Sequence, residues 1–182
     1  LTVGWNSLEG VIAVGAGIVA GSVALIGFGV DSVIEVSSGA IILWRLASGE
    51  RRERLALRLV GVSFIALAFY VAYDAITSLI NREIPEITYV GLGITAMSLI
   101  LMPMLASAKR KVARSLHSNA MLADSRQTDI CVYLSAIVLG GLGLNALFGW
   151  WWADPLAALI MVPIIAKEGI DALRGQSCDD CH

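Results

Sequence analysis

Charged residues are scarce in this sequence. Asp, Glu, Lys and Arg make up 15% of its 182 residues, against roughly 25% in an average soluble domain. The net charge of −2 is small and says nothing of nucleic acid by itself, and no nucleic-acid partner is expected. Cysteine is scarce too. Three residues, an odd number, exclude a framework built only of disulfides. Cys131 lies inside an apolar run, whereas Cys178 and Cys181 lie in a polar tail. The first apolar run lacks a basic leader and a small-residue cleavage site. It passes directly into a second run, so it reads as a helix and not as a signal peptide. The chain begins at Leu1 without an initiator Met, which predicts a trimmed or incomplete N-terminus.

What the sequence does have is long apolar runs. Hydrophobic residues reach 57% and mean hydropathy is +0.77. Several runs attain the roughly 20 residues that cross a bilayer about 30 Å thick. The pattern predicts an all-α integral membrane protein of six transmembrane helices. They run over about Trp5–Leu25, Phe28–Leu46, Ala56–Ile80, Ile87–Ala108, Ser118–Phe148 and Pro155–Leu173. Ile26 and Gly27 make the first junction, and Pro85 marks the break before the fourth helix. The fifth helix exceeds the bilayer thickness and is expected to tilt or project into water. Trp150, Trp151 and Trp152 suit headgroup level. Pro103 and Pro163 predict kinks in helices four and six. Residues 1–175 are thus read as one transmembrane domain and 176–182 as a short tail, with no soluble C-terminal domain expected.

Basic residues set the expected orientation. Arg45, Arg51, Arg52, Arg54 and Arg58 surround the loop after helix two, and Lys109, Arg110, Lys111 and Arg114 follow helix four. Arg82 alone occupies the other loops. The positive-inside rule places both basic loops, and both termini, in the cytoplasm of a cell-membrane protein.

Ionisable residues inside such helices cost roughly 2.5–3.5 kcal/mol each and call for a reason. Asp31 and Glu35 of helix two are four residues apart, so they share one helical face. Asp124, Gln127, Thr128 and Cys131 of helix five fall on one stripe at about 100° per residue, and Asp129 points away from it. Two carboxylates facing an amide and a thiol make a candidate cage for a divalent cation of the zinc type. Carboxylates could instead pair with a base or line a wet cavity. No Lys or Arg is expected at the depth of Asp31 and Glu35, with Arg126 the nearest. Gln127 is explained equally by interhelical hydrogen bonding. Cys131 alone reads as a packing residue. Asp74, near the outer end of helix three beside Tyr70 and Tyr73, reads as structural or interfacial, and Asp154 as an acid at the N-terminus of helix six.

These residues resemble the transmembrane domain of the cation diffusion facilitator family. The stretch Gly21-Ser22-Val23-Ala24-Leu25-Ile26-Gly27-Phe28-Gly29-Val30-Asp31-Ser32-Val33-Ile34-Glu35 is similar to that family's helix one to helix two junction. Asp31 matches its first metal-binding Asp, and Glu35 matches the second with one added methylene. Ala120-Met121-Leu122-Ala123-Asp124 is similar to the lead-in of helix five, and Trp152-Ala153-Asp154-Pro155-Leu156-Ala157-Ala158-Leu159 to the opening of helix six. Gln127 and Cys131 stand where the family places a His, or sometimes an Asp, and then an Asp. The resemblance implies a secondary transporter, not an enzyme. It would export a divalent transition metal, Zn2+ first and Cd2+, Fe2+ or Mn2+ as alternatives, in exchange for protons. The implied ligands are Asp31, Glu35, Gln127 and Cys131, with Asp124 on the metal or proton path. Gln carries no proton at working pH, so protons would move through Asp31, Glu35, Cys131 or Asp124. A thiolate favours softer ions. A homodimer formed through the membrane helices is also implied.

The tail Cys178-Asp179-Asp180-Cys181-His182 matches c-type haem attachment in spacing. The expected cytoplasmic location opposes haem and favours a small soft-metal clip of Cys178, Cys181 and His182. A floppy tail with reactive thiols remains the plain alternative. The rival functions are a membrane metal sensor or accessory protein without flux, and a redox or haem protein using this tail.

Overall fold

The computed structural model describes residues 2–48, 51–116 and 119–174. Within them the chain forms six α-helices: α1 (Thr2–Ala20), α2 (Val23–Ser48), α3 (Arg51–Asn81), α4 (Tyr89–Leu116), α5 (Asn119–Phe148) and α6 (Ala153–Arg174). By length and apolarity, α1, α3, α4 and α5 each contain a stretch able to cross a membrane. Acidic Asp31 and Glu35 sit in α2, and Asp154, Glu168 and Asp171 in α6. The outer surface is apolar: Val11, Val19, Phe69, Ile80, Met104 and Leu147 all point outward. A water-facing bundle does not expose so much contiguous hydrocarbon, whereas lipid accepts it.

The first turn differs from the expected one. The break falls at Gly21-Ser22, not at Ile26-Gly27. Gly21 adopts φ +66, a left-handed conformation that costs glycine little. The Ser22 hydroxyl then accepts the Leu25 amide at 3.2 Å, a serine N-cap that starts α2 at Val23. Helices α3 and α4 also run further than apolarity alone suggested. Arg51 and Leu116 are helical, so most of the basic residues ride on helix ends and not in loops. Both α4 and α6 continue through Pro103 and Pro163.

Helices α1, α2, α5 and α4 pack in a ring, each against the next, and α3 and α6 pair with one another against α2. Helix α2 touches α1, α3, α5 and α6 and is therefore the centre of the molecule. Lipid tails are as apolar as Leu, so packing must come from close fit and not from water exclusion. Glycines supply that fit. A Cβ on Gly29 would lie 2.7 Å from the Val14 amide nitrogen, and one on Gly61 would lie 2.8 Å from the Gly169 carbonyl oxygen. Phe28, Leu25, Met102, Leu134 and Met161 fill the interior between these contacts.

One end of the bundle is tied by polar contacts. The Ser22 hydroxyl donates to Asp154 Oδ1 at 2.6 Å, and the amides of Val23 and Ala24 face the same carboxylate. Asp154 was expected to serve its own helix. It lies in the first turn of α6, yet its hydrogen bonds go to the N-terminus of α2. Nearby, the Glu86 amide donates to the Ala20 carbonyl at 2.8 Å. Asn145 Nδ2 donates to the Pro85 carbonyl at 3.0 Å. Trp150 and Trp152 stack at 5.1 Å in the exposed α5–α6 turn at the same end.

Candidate intramembrane cation site

Asp31 and Glu35 occupy the inner face of α2, both buried at 6% and 3% exposure. Their placement follows from the helical period: Phe28, Asp31, Ser32 and Glu35, at helical spacing, are all buried. Glu35 Oε1 accepts the Thr128 hydroxyl of α5 at 2.6 Å. The same oxygen lies 3.4 Å from Lys109 Nζ of α4. Lys109 in turn donates to Thr128 Oγ1 at 2.8 Å. Carboxylate, hydroxyl and ammonium from three helices thus form one buried node.

This node corrects one expectation. A basic residue does reach Glu35, and it is Lys109. Helical side chains lean toward the N-terminus of their helix. Lys109 therefore extends back into the bundle from the basic end of α4, carrying its charge on a long apolar stem. The side chain of Arg126 lies outside the described ones.

Asp31 is different. Among the described residues no hydrogen bond or ion pair reaches it, although it is buried. Opposite, Cys131 of α5 is fully buried. Its thiol lies beside the Ser32 hydroxyl, near the charges of Asp31 and Glu35. Among the described residues, no three His, Cys, Asp or Glu side chains converge closely enough to hold a metal ion. The structure thus brings Glu35 to Thr128 and Cys131 to Ser32, without closing them into one cage. The side chains of Gln127 and Asp124 lie outside the described ones. So does the whole tail with Cys178, Cys181 and His182.

Two other acids lie apart from this node. Asp129, on the opposite face of α5, pairs with Arg110 of α4 at 2.5 Å, with both side chains about one-third exposed. Asp74 lies beside Tyr70, one turn away on α3. A further acid escaped the sequence reading altogether. Glu9 of α1 is completely buried and accepts the Ser98 hydroxyl of α4 at 2.6 Å. It is the one acidic residue of α1, so the criterion that singled out Asp31 would also have found it.

An all-helical membrane bundle whose central helix buries acidic residues belongs to the polytopic membrane proteins with intramembrane ionisable sites. More narrowly, the chain belongs to the cation efflux transmembrane domain family, whose description matches residues 4–176. It is 27% identical to Transmembrane protein 163 of Xenopus laevis, an alignment that covers 84% of this chain and 56% of that protein. It is 26% identical to an uncharacterized transporter of Methanocaldococcus jannaschii, over 94% of this chain and 64% of the relative. It is also 26% identical to the cation-efflux pump FieF of Shewanella oneidensis, over 66% of this chain and 40% of the pump. The chain thus spans between 40% and 64% of the length of these relatives.

Proposed function

We propose that this chain forms the membrane-embedded part of a secondary transporter that exports a divalent transition metal, Zn2+ foremost, from the cytoplasm in exchange for protons. Membership of the cation efflux family supports metal-cation transport as the general activity. The observation that carries the reading to particular residues is Asp31: a buried carboxylate on the central helix that accepts no hydrogen bond among the described residues. Unpaired carboxylates are costly in apolar surroundings, and a cation relieves that cost.

The ligands are Asp31 and Glu35 from α2, with Gln127 and Cys131 from α5. Metal binding requires its acidic and thiol ligands deprotonated, so protons compete with the ion and can drive its release. Lys109 already neutralises Glu35. An arriving divalent ion must displace that ammonium before Glu35 can coordinate. Alternating access would expose this site to each side of the membrane in turn. The basic ends of α2, α3 and α4 would face the cytoplasm, as would both termini. A homodimer in the cell membrane completes the reading.

The test is Zn2+ flux into proteoliposomes across an imposed pH gradient, comparing the unmodified protein with Asp31→Ala and Cys131→Ala. Flux should vanish in the first variant and change its metal preference in the second. Full activity of Asp31→Ala would remove the site assignment. Metal binding without any flux in the unmodified protein would favour the sensor reading.

A further inference from the structure

Glu9 needs an explanation that the Asp31–Glu35 site does not supply. It sits inside the apolar stretch Val3–Ala20 of α1 and is completely buried. One oxygen, Oε1, accepts the Ser98 hydroxyl at 2.6 Å. The other, Oε2, has no partner, and neither has Oδ1 of Asn6. Asn6 is itself 1% exposed and precedes Glu9 by three residues, so both side chains leave the same face of α1. The Trp5 indole N–H lies beside Glu9 without a hydrogen bond in place.

An unmet polar group in hydrocarbon costs several kcal/mol. Among the described residues two acceptor oxygens are left over here, and no ion pair reaches Glu9. The charged groups close to it are negative: Asp31 and Glu35 of α2. From α4 it meets a serine hydroxyl. A cation placed among these acceptors would meet them and relieve the like-charge repulsion together.

We infer that Glu9 Oε2 and Asn6 Oδ1, with Ser98 Oγ beside them, form a second cation position between α1 and α4, suited to a divalent ion that accepts oxygen ligands. Its donors are a carboxylate, an amide carbonyl and a hydroxyl, without sulfur or imidazole. Such a set favours harder ions, of which Mn2+ is the convenient probe. Cys131 across the bundle would give the Asp31–Glu35 position a softer preference. The inference does not depend on transport.

The experiment counts Mn2+ bound to the purified full chain in detergent, by equilibrium dialysis with elemental analysis. It compares the unmodified protein, Glu9→Gln, and the double variant Asp31→Asn/Glu35→Gln. Glu9→Gln keeps an acceptor for Ser98 and nearly the same volume, and helical content by circular dichroism confirms that each variant is folded. Glu9→Gln should lose one Mn2+ per chain, and the double variant should retain one that a further Glu9→Gln removes. An unchanged Mn2+ count in folded Glu9→Gln overturns the inference. Failure of the transport reading appears separately, as absent Zn2+ flux in the unmodified protein.

Discussion

Replacing Lys109 by Met tests the buried node most directly. Lys109 Nζ lies 3.4 Å from Glu35 Oε1, with side-chain exposures of 13% and 2%. At an effective dielectric constant of about 20, that separation corresponds to roughly 5 kcal/mol of attraction. Removing one partner of a buried pair costs about 3–5 kcal/mol where nothing else holds the remaining charge, whereas Glu35 keeps the Thr128 hydroxyl. Lys109 retains some access to solvent, so the lower end, about 3 kcal/mol, is expected. Met preserves the length and most of the volume of the stem. The ion-free Lys109→Met protein should therefore unfold at a lower temperature. Its affinity for Zn2+ should rise, since a bound dication restores the missing positive charge at Glu35. A gain of about 3 kcal/mol corresponds to roughly 100-fold in affinity, at about 1.4 kcal/mol per decade. Thermal unfolding in detergent with and without Zn2+ reads both quantities, since a ligand stabilises the state that binds it. Equal Zn2+ affinity in the variant and the unmodified protein would refute the view that Lys109 competes with the metal.

Gly29→Ala should destabilise the bundle by about 1–3 kcal/mol, because the added Cβ would lie 2.7 Å from the Val14 amide nitrogen. Gly15→Ala, with nothing within 4 Å of its new Cβ, should leave the melting temperature unchanged or slightly raised. Asp154→Ala should cost about 2 kcal/mol by stranding the Ser22 hydroxyl and the first amides of α2; Asp154→Asn, which keeps one acceptor oxygen, should recover part of that loss in the same melt. Cys131→Ser should weaken Cd2+ binding by about tenfold or more while sparing Mn2+, measured by competition dialysis, because sulfur favours softer ions. Equal losses for both ions would assign Cys131 to packing alone.

The six helices were legible because hydropathy reports length directly. A run of apolar residues long enough for a bilayer has few other uses. Asp31 and Glu35 were legible for the converse reason, since charge inside such a run stands out. The helix-one boundary was misplaced because apolarity continues across Gly21-Ser22, and only the left-handed glycine and the serine cap end the helix there. Both residues were visible in the sequence as a turn signal, which the uninterrupted hydropathy outweighed. Glu9 was equally visible by the rule that found Asp31.

Lys109 was not legible as a partner for Glu35. Its place in a basic cluster at a helix end marks it as a water-facing charge, and nothing local states that its stem turns inward. The partners of Asp154 are likewise far away in sequence, with Ser22 lying 132 residues before it. Residue types and helical period are properties of neighbours along the chain. They determined the membrane class, the number of helices and the inward face of α2. Which helix packs against α2, and so which cation neutralises Glu35 and which hydroxyl binds it, depends on contacts between distant segments. Those contacts are settled by the close approach of small residues such as Gly29 and Gly61, whose effect on packing exists only once the helices meet.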